Sequence, residues 1–267
     1  MKLKELFYFM GLKPSVKFFG AYKECVGEFE GEFVHFYQWK TPKSVDVKLN
    51  RDEIDELKIF LKKGDVAIDI GAHIGDSTLP IALACGAEGC VYAFEPNPVV
   101  FSVLAKNCWV NRGLTNIKAL PFACTQVELS TKFGYSDSWL ANGGDKTSFT
   151  FTHGHAFKVP INGLHPLGLI QSLHLHRLKY IKVDVEGLDY EILKLFENLI
   201  DSRMPYIKFE IAKFTSIEMR KKLENFFKDR KYEVRIVGSE GRLFGKYAVS
   251  EDFYRDYSLD MFCVPML

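Results

Sequence analysis

A Rossmann-like, doubly wound α/β fold is predicted for this 267-residue chain by three features. Apolar runs of strand length alternate with segments of helical periodicity from Asp65 onward. The first run, Val66 to Ile70, ends abruptly in Gly71-Ala72-His73-Ile74-Gly75, as a buried parallel strand does when it enters a glycine turn. The second, Cys90 to Phe94, ends in Glu95, twenty positions after Gly75. That is close to the spacing of about 20 at which an acid on the second strand meets ribose hydroxyls.

Each element follows in order. Residues 1–50 carry no catalytic motif: an amphipathic segment with Leu3, Leu6, Phe7 and Met10 at helical spacing precedes alternating Phe29, Phe33, His35, Tyr37 and Trp39, which reads as one or two strands of an N-terminal extension or lid. Arg51 to Lys63 places Ile54, Leu57, Phe60 and Leu61 on one helix face and stops at Gly64. Asp76, Ser77 and Thr78 supply caps for a helix reaching Cys85, with Pro80 in its first turn. Asn97 and Pro98 open another helix, buried through Val100, Phe101, Leu104, Ala105 and Cys108. Ile117 to Phe122 is the third strand, and 126–157 reads as a substrate-facing insertion rich in Ser, Thr, Gly and Asn. Leu167 to Leu178 then predicts a helix, Tyr180 to Val185 the fourth strand, Leu188 to Leu199 a helix and Tyr206 to Ile211 the fifth strand. A helix over Ile217 to Asp229 and strands at Tyr232 to Val237 and Asp260 to Pro265 finish the pattern.

The glycine turn selects the ligand by what it lacks. A dinucleotide fingerprint places a second glycine where a pyrophosphate approaches, and His73 stands at that position. A ribose-bearing ligand without phosphate fits, and S-adenosylmethionine is the common one. DIGAHIGDST, YAFEPNP and YIKVDVEGLDYEIL, in that order between Leu57 and Ile211, resemble the FkbM-type S-adenosylmethionine-dependent methyltransferases. The resemblance implies a seven-stranded methyltransferase sheet over 51–267 with an antiparallel final hairpin. It also implies cofactor contacts at Asp69, Gly71, Ala72, His73, Gly75, Asp76, Ser77, Glu95, Pro96, Asp184 and, at the adenine, Ala123 and Cys124. One departure stands out. Relatives carry threonine-leucine-aspartate before the fourth strand, and this chain has Gly163-Leu164-His165, which leaves the acceptor class open.

Methyl transfer to oxygen is an in-line displacement that needs alignment, exclusion of water and a group to take the hydroxyl proton. Asp184 and Glu186, two apart at a strand end, are candidates for that base; Asp184 can instead hold the cofactor's amino group, and Glu186 can brace Gly187. His155, with His153 in an HxH pattern, is the third candidate, as base or metal ligand. Two histidines do not make a metal centre, and no metal is assigned. Trp139 can stack on a sugar or sit in a core.

Composition narrows the class. Thirty-five basic and 34 acidic residues leave a net charge of +1, with no global field for nucleic acid. Hydrophobic residues make up 47%, enough for one large core. The six cysteines show no paired spacing, which predicts a reducing, cytoplasmic setting. No segment predicts a membrane span, although the first helix can lie on a surface. The reading is an O-methyltransferase acting on a sugar hydroxyl of a surface glycan or glycosylated metabolite. Its alternatives are a non-catalytic nucleoside-binding scaffold of the same fold and a methyltransferase for a non-sugar small molecule. The expected partner is a small-molecule or glycan acceptor, and oligomeric state is not predicted.

Overall fold

The computed structural model describes residues 22–39, 49–136, 142–143, 156–185, 187–238 and 241–266. Seven strands form the central sheet in the order β12-β13-β11-β10-β3-β4-β5. They are β3 (Val66–Ile70), β4 (Cys90–Phe94), β5 (Ile117–Leu120), β10 (Leu178–Val183), β11 (Tyr206–Ile211), β12 (Tyr232–Ile236) and β13 (Leu259–Pro265). β13 runs antiparallel between β11 and β12, while the pairings among β11, β10, β3, β4 and β5 are parallel. The chain therefore walks outward from β3 through β5, returns, and walks the other way from β10. The reversal between β3 and β10 is the switch point at which doubly wound sheets bind ligands.

Every residue of β3 and β4 is buried, which explains their unbroken apolar runs. Alternate side chains feed two layers. Ile68, Ile70, Phe94, Val183 and Phe209 pack with Ile192 and Phe227 on one face, and Ala67, Val91, Tyr180 and Phe262 pack with Ile54, Leu57 and Leu79 on the other. The second face is covered by α1 (Arg51–Phe60) and α2 (Thr78–Cys85), followed in the chain by α3 (Pro98–Val110).

Helix starts obey local chemistry. The Asn97 side chain accepts the Val99 N–H at 3.1 Å and Pro98 takes the first turn, as the sequence predicts. Ser216 likewise caps α7 (Ile217–Asp229). The predicted helix over Leu167 to Leu178 is instead a 3₁₀ turn, Pro166–Gly168, and a single turn α4 (Ser172–Leu175). Between them the Gln171 N–H donates to the Tyr92 hydroxyl at 3.2 Å, a tertiary bond that the helical pattern ignores. The helix expected from Leu188 to Leu199 is likewise divided at Phe196 into α5 (Asp189–Leu195) and α6 (Glu197–Arg203).

The extension supplies a hairpin, β1 (Tyr22–Phe29) and β2 (Glu32–Trp39). Within the expected insertion, β7 (Leu129–Ser136) pairs antiparallel with β9 (Ala156–Leu164), flanked by β6 (Ala123–Cys124) and β8 (Asn142–Gly143). The predicted third strand stops at Leu120, so Ala123 and Cys124 belong to this second sheet. Among the described residues no helix is long and apolar enough to cross a membrane.

Candidate active site

At the switch point the ends of β3 and β10 are locked together. The Asp184 N–H donates to the Ile70 carbonyl at 3.0 Å, continuing the ladder past Val183. Gly71 then turns with φ of +78°, and a Cβ there would lie 1.9 Å from the Asp184 carbonyl oxygen. The glycine is needed for this closure of two strands. Gly75, at φ +93°, similarly spares the Leu104 side chain of α3, 3.0 Å from the position of a Cβ.

The turn leans on β4. Gly71 and Ala72 both donate to the Phe94 carbonyl, at 3.1 and 3.0 Å. His73, held at φ +48°, donates its backbone N–H to Glu95 Oε2 at 3.0 Å, and Asn97 donates its own to Oε1 at 2.8 Å. The predicted pairing of glycine turn and strand-end acid is therefore present. Glu95 is fully covered, and burial pushes its carboxyl up to about 7 against the pull of the Asn97 and His73 N–H groups.

Beneath the turn lies a buried ionic row. Asp69 accepts hydrogen bonds from Ser77 Oγ at 2.9 Å and Thr78 Oγ1 at 2.7 Å. Those hydroxyls were expected to cap α2; they serve the buried carboxylate instead, and Ser77 makes no capping bond. Lys182 Nζ sits 3.3 Å from Asp69 and 3.5 Å from Asp184. Burial works to lower the lysine's pKa, yet the two carboxylates overcome it and hold the ammonium well above its ordinary range. Two carboxylates share one cation, so the row carries a net negative charge. Asp69 is fully buried, and only Asp184, with 46% of its side chain exposed, meets solvent.

The other predicted residues divide. Ala72 is buried, Pro96 half-buried beside Glu95, and Asp76 exposed. Ala123 and Cys124 follow β5 by three residues; Cys124 packs with Phe94 in the core, and burial pushes its thiol up. Glu186 and His155, with His153 and Trp139, lie outside the described residues.

Three residues escaped the sequence reading. Of the two lysines in β10, Lys179 and Lys182, Lys182 is buried among apolar neighbours and so demands a buried partner. Asp189 accepts the Gly187 and Glu210 N–H groups, each at 3.2 Å, tying the exits of β10 and β11 together. Burial pushes its carboxyl well up, with the Asp184 charge adding to the effect. Arg220 is buried and donates to the carbonyls of Thr215 (2.8 Å), Ala212 (2.9 Å), Lys213 (3.1 Å) and Phe253 (2.9 Å), which fixes the turn after β11. No sequence spacing marks that clasp, because its acceptors are backbone.

The sequence model of the methyltransferase FkbM domain matches residues 69–234, more than half of the chain. Hexuronic acid methyltransferase AglP of Haloferax volcanii is 31% identical over 155 residues, 57% of this chain and 59% of the relative. Methyltransferase sdnD of Sordaria araneosa is 27% identical over 154 residues, 48% of this chain and 58% of that one. The matched region thus spans under two thirds of these curated relatives. Among solved structures, an FkbM methyltransferase from Methylobacillus flagellatus aligns with a TM-score of 0.48 at 14% identity, covering 75% of this chain and 43% of that one.

The cofactor of these methyltransferases is S-adenosylmethionine, and the site suits it. His73 occupies the place of a pyrophosphate-binding glycine, the Asn97 side-chain N–H group is buried without a partner beside Glu95, and the net negative row ends at a half-exposed carboxylate that can face a cationic ligand. By sequence match and by the geometry at its switch point, the chain belongs to the FkbM methyltransferase family.

Proposed function

We propose that this chain is an S-adenosylmethionine-dependent O-methyltransferase that acts on a sugar hydroxyl of a surface glycan or glycosylated metabolite. The observation that carries the transferase half is the junction of Gly71, Glu95 and Asp184 at the switch point, within the family match. The sugar half is supported by the hexuronic acid methyltransferase among its relatives.

In this reading Glu95 accepts the ribose hydroxyls, with Asn97 beside it, and the Ala123–Cys124 segment borders the adenine. Asp184 takes the cofactor's ammonium, because the ionic row has one negative charge in excess and Asp184 is its exposed end. The bound cofactor supplies an electrophilic methyl group on a cationic sulfur. The chain's own task is to hold the acceptor hydroxyl in line with that methyl group, to exclude water and to take the hydroxyl proton onto a base.

Calorimetry with S-adenosylmethionine and labelled-methyl transfer to a panel of glycosides test the proposal. Saturable cofactor binding with methyl incorporation into a glycoside is expected. Binding without turnover on any acceptor would return the chain to a nucleoside-binding scaffold, and no binding at millimolar cofactor would reject the cofactor site.

A further inference from the structure

Beside the glycine turn lies a cavity of about 520 Å³ between the N-terminal hairpin, the start of α1 and the start of α2. That volume falls within the roughly 300–1,000 Å³ typical of small-ligand sites. Val34 and Phe36 from the hairpin and Leu79 from α2 give it apolar walls. Its charged groups are Glu28, Arg51, Glu53 and Asp76, and Asp76 belongs to the glycine turn itself. The cavity therefore adjoins the candidate cofactor site. Apart from Asp76, Leu79 and Pro80, its lining lies before residue 69, where the family match begins, so most of this wall is outside the shared domain.

Glu53 stands where the cavity and the ionic row meet. Burial holds its carboxyl above the ordinary range; Lys208 and Lys182 on β11 and β10 oppose that, while Asp76 in the turn and Asp69 on β3 add to it. The Arg51 guanidinium, the one cation among the described residues lining the cavity, is bonded to the Glu28 carbonyl at 2.9 and 3.2 Å and lies 4.0 Å from the Glu28 carboxylate. Among the described residues, three carboxylates against one engaged guanidinium make this wall hostile to an anionic ligand and well supplied with acceptors for hydroxyl groups.

We infer that this cavity receives the acceptor, a neutral polyhydroxylated ring such as a hexopyranoside, and that Glu53 takes the proton from the hydroxyl that is methylated. The inference rests on the methyl-transfer function proposed above and deepens it. A half-buried carboxyl with a raised affinity for protons is a better base for a hydroxyl than one sharing a buried ammonium, as Asp184 does.

The test uses the full chain and two readouts. In calorimetry without cofactor, methyl α-glucopyranoside and methyl α-mannopyranoside should bind at least tenfold more tightly than methyl glucuronide. Val26→Trp, at an exposed position lining the cavity, should abolish that binding while S-adenosylmethionine affinity stays within twofold. In labelled-methyl transfer, Glu53→Gln should lower kcat by about 10²-fold or more, flatten the rising limb of the pH profile and leave cofactor affinity within twofold. The inference is overturned if the uronide binds as well as the neutral glycosides, or if Glu53→Gln keeps full kcat. It is equally overturned if Glu53→Gln or Val26→Trp weakens cofactor binding tenfold, because the cavity would then hold the cofactor's own amino-acid end. Should the wild type methylate nothing, the proposed function fails, and the cofactor-free arm still decides on the cavity: neutral glycoside binding lost in Val26→Trp supports it, and no glycoside binding overturns it.

Discussion

The Asp184 carbonyl oxygen occupies the space in which any side chain at Gly71 would begin, 1.9 Å from a Cβ built there. Two strands far apart in sequence are thus sealed at the switch point, beside the candidate cofactor site. Gly71→Ala combines a left-handed backbone, worth about 1–2 kcal/mol, with an overpacked junction worth about 1–3 kcal/mol. Thermal unfolding should show a loss of about 3 kcal/mol, and the surviving folded protein should bind S-adenosylmethionine at least tenfold more weakly. A variant as stable and as tightly binding as wild type would contradict the closure.

Lys182 makes a second test, because its ammonium is the only cation within 4 Å of buried Asp69 among the described residues. Lys182→Met leaves a carboxylate with two hydroxyl donors and no counter-charge. Removing one partner of a buried pair costs about 3–5 kcal/mol, to be measured by urea unfolding. The double variant Asp69→Asn with Lys182→Met should recover most of that loss, since the uncompensated charge has gone. If the single and double variants are equally unstable, the ion pair is not what holds the row.

Glu95 carries a pH signature whose sign can be worked out. Its carboxyl is raised from 4.5 to about 7, so the folded chain keeps a proton that the unfolded chain loses above pH 4.5. Its contribution to stability is therefore fully present below pH 4.5 and is lost as pH rises towards 7. A shift of 2.5, the difference between 7 and 4.5, corresponds to about 3 kcal/mol. Because other groups titrate too, the check is the difference between wild type and Glu95→Gln at several pH values: that difference should change steadily between pH 4.5 and 7 and level off above. Cofactor affinity should move the opposite way, rising from pH 6 to 8 as Glu95 ionises and can accept ribose hydroxyls. Parallel stability profiles for the two proteins would show that Glu95 does not titrate in this range.

Much of this architecture was legible because it is written in local chemistry. Asn97 and Pro98 begin a helix wherever they fall before an apolar stripe, and α7 spans the predicted Ile217–Asp229. The buried runs of β3 and β4 announced a parallel sheet, and the twenty-residue interval from Gly75 to Glu95 announced that turn and acid would meet, which the His73 bond shows at 3.0 Å. What stayed hidden depends on register and on tertiary partners. Lys182 finds Asp69 only because β10 lies beside β3 with those two residues opposite one another. Ser77 and Thr78 look like helix caps until the buried Asp69 claims their hydroxyls. The helix expected through Gly168 failed because Tyr92, seventy-nine positions before Gln171, takes a backbone N–H that a helix would have used. Glu53 had no motif at all; its interest arises from a wall built by the hairpin.

The hairpin's attachment gives the last prediction. Asn107 in the last turn of α3 and Asn111 at its C-terminal cap present their amides to the free edge of β2 as another strand would. Asn107 accepts the Tyr37 N–H at 2.7 Å and donates to the Tyr37 carbonyl at 2.9 Å; Asn111 accepts the His35 N–H at 3.0 Å and donates to the His35 carbonyl at 2.7 Å. Four hydrogen bonds of about 1 kcal/mol each thus dock the hairpin, while Asn107 also donates to the Ile74 carbonyl in the glycine turn at 2.8 Å. Replacing both asparagines with alanine should therefore loosen the hairpin more than the sheet. Hydrogen exchange should accelerate at the His35 and Tyr37 amides by at least a hundredfold, with the β3 and β4 amides slowed or quickened far less. Since the hairpin walls the cavity, glycoside binding should weaken in the same variant. Unchanged protection at His35 and Tyr37 would mean that pairing with β1 and the apolar contacts of Val34 and Phe36 hold the hairpin without the amides.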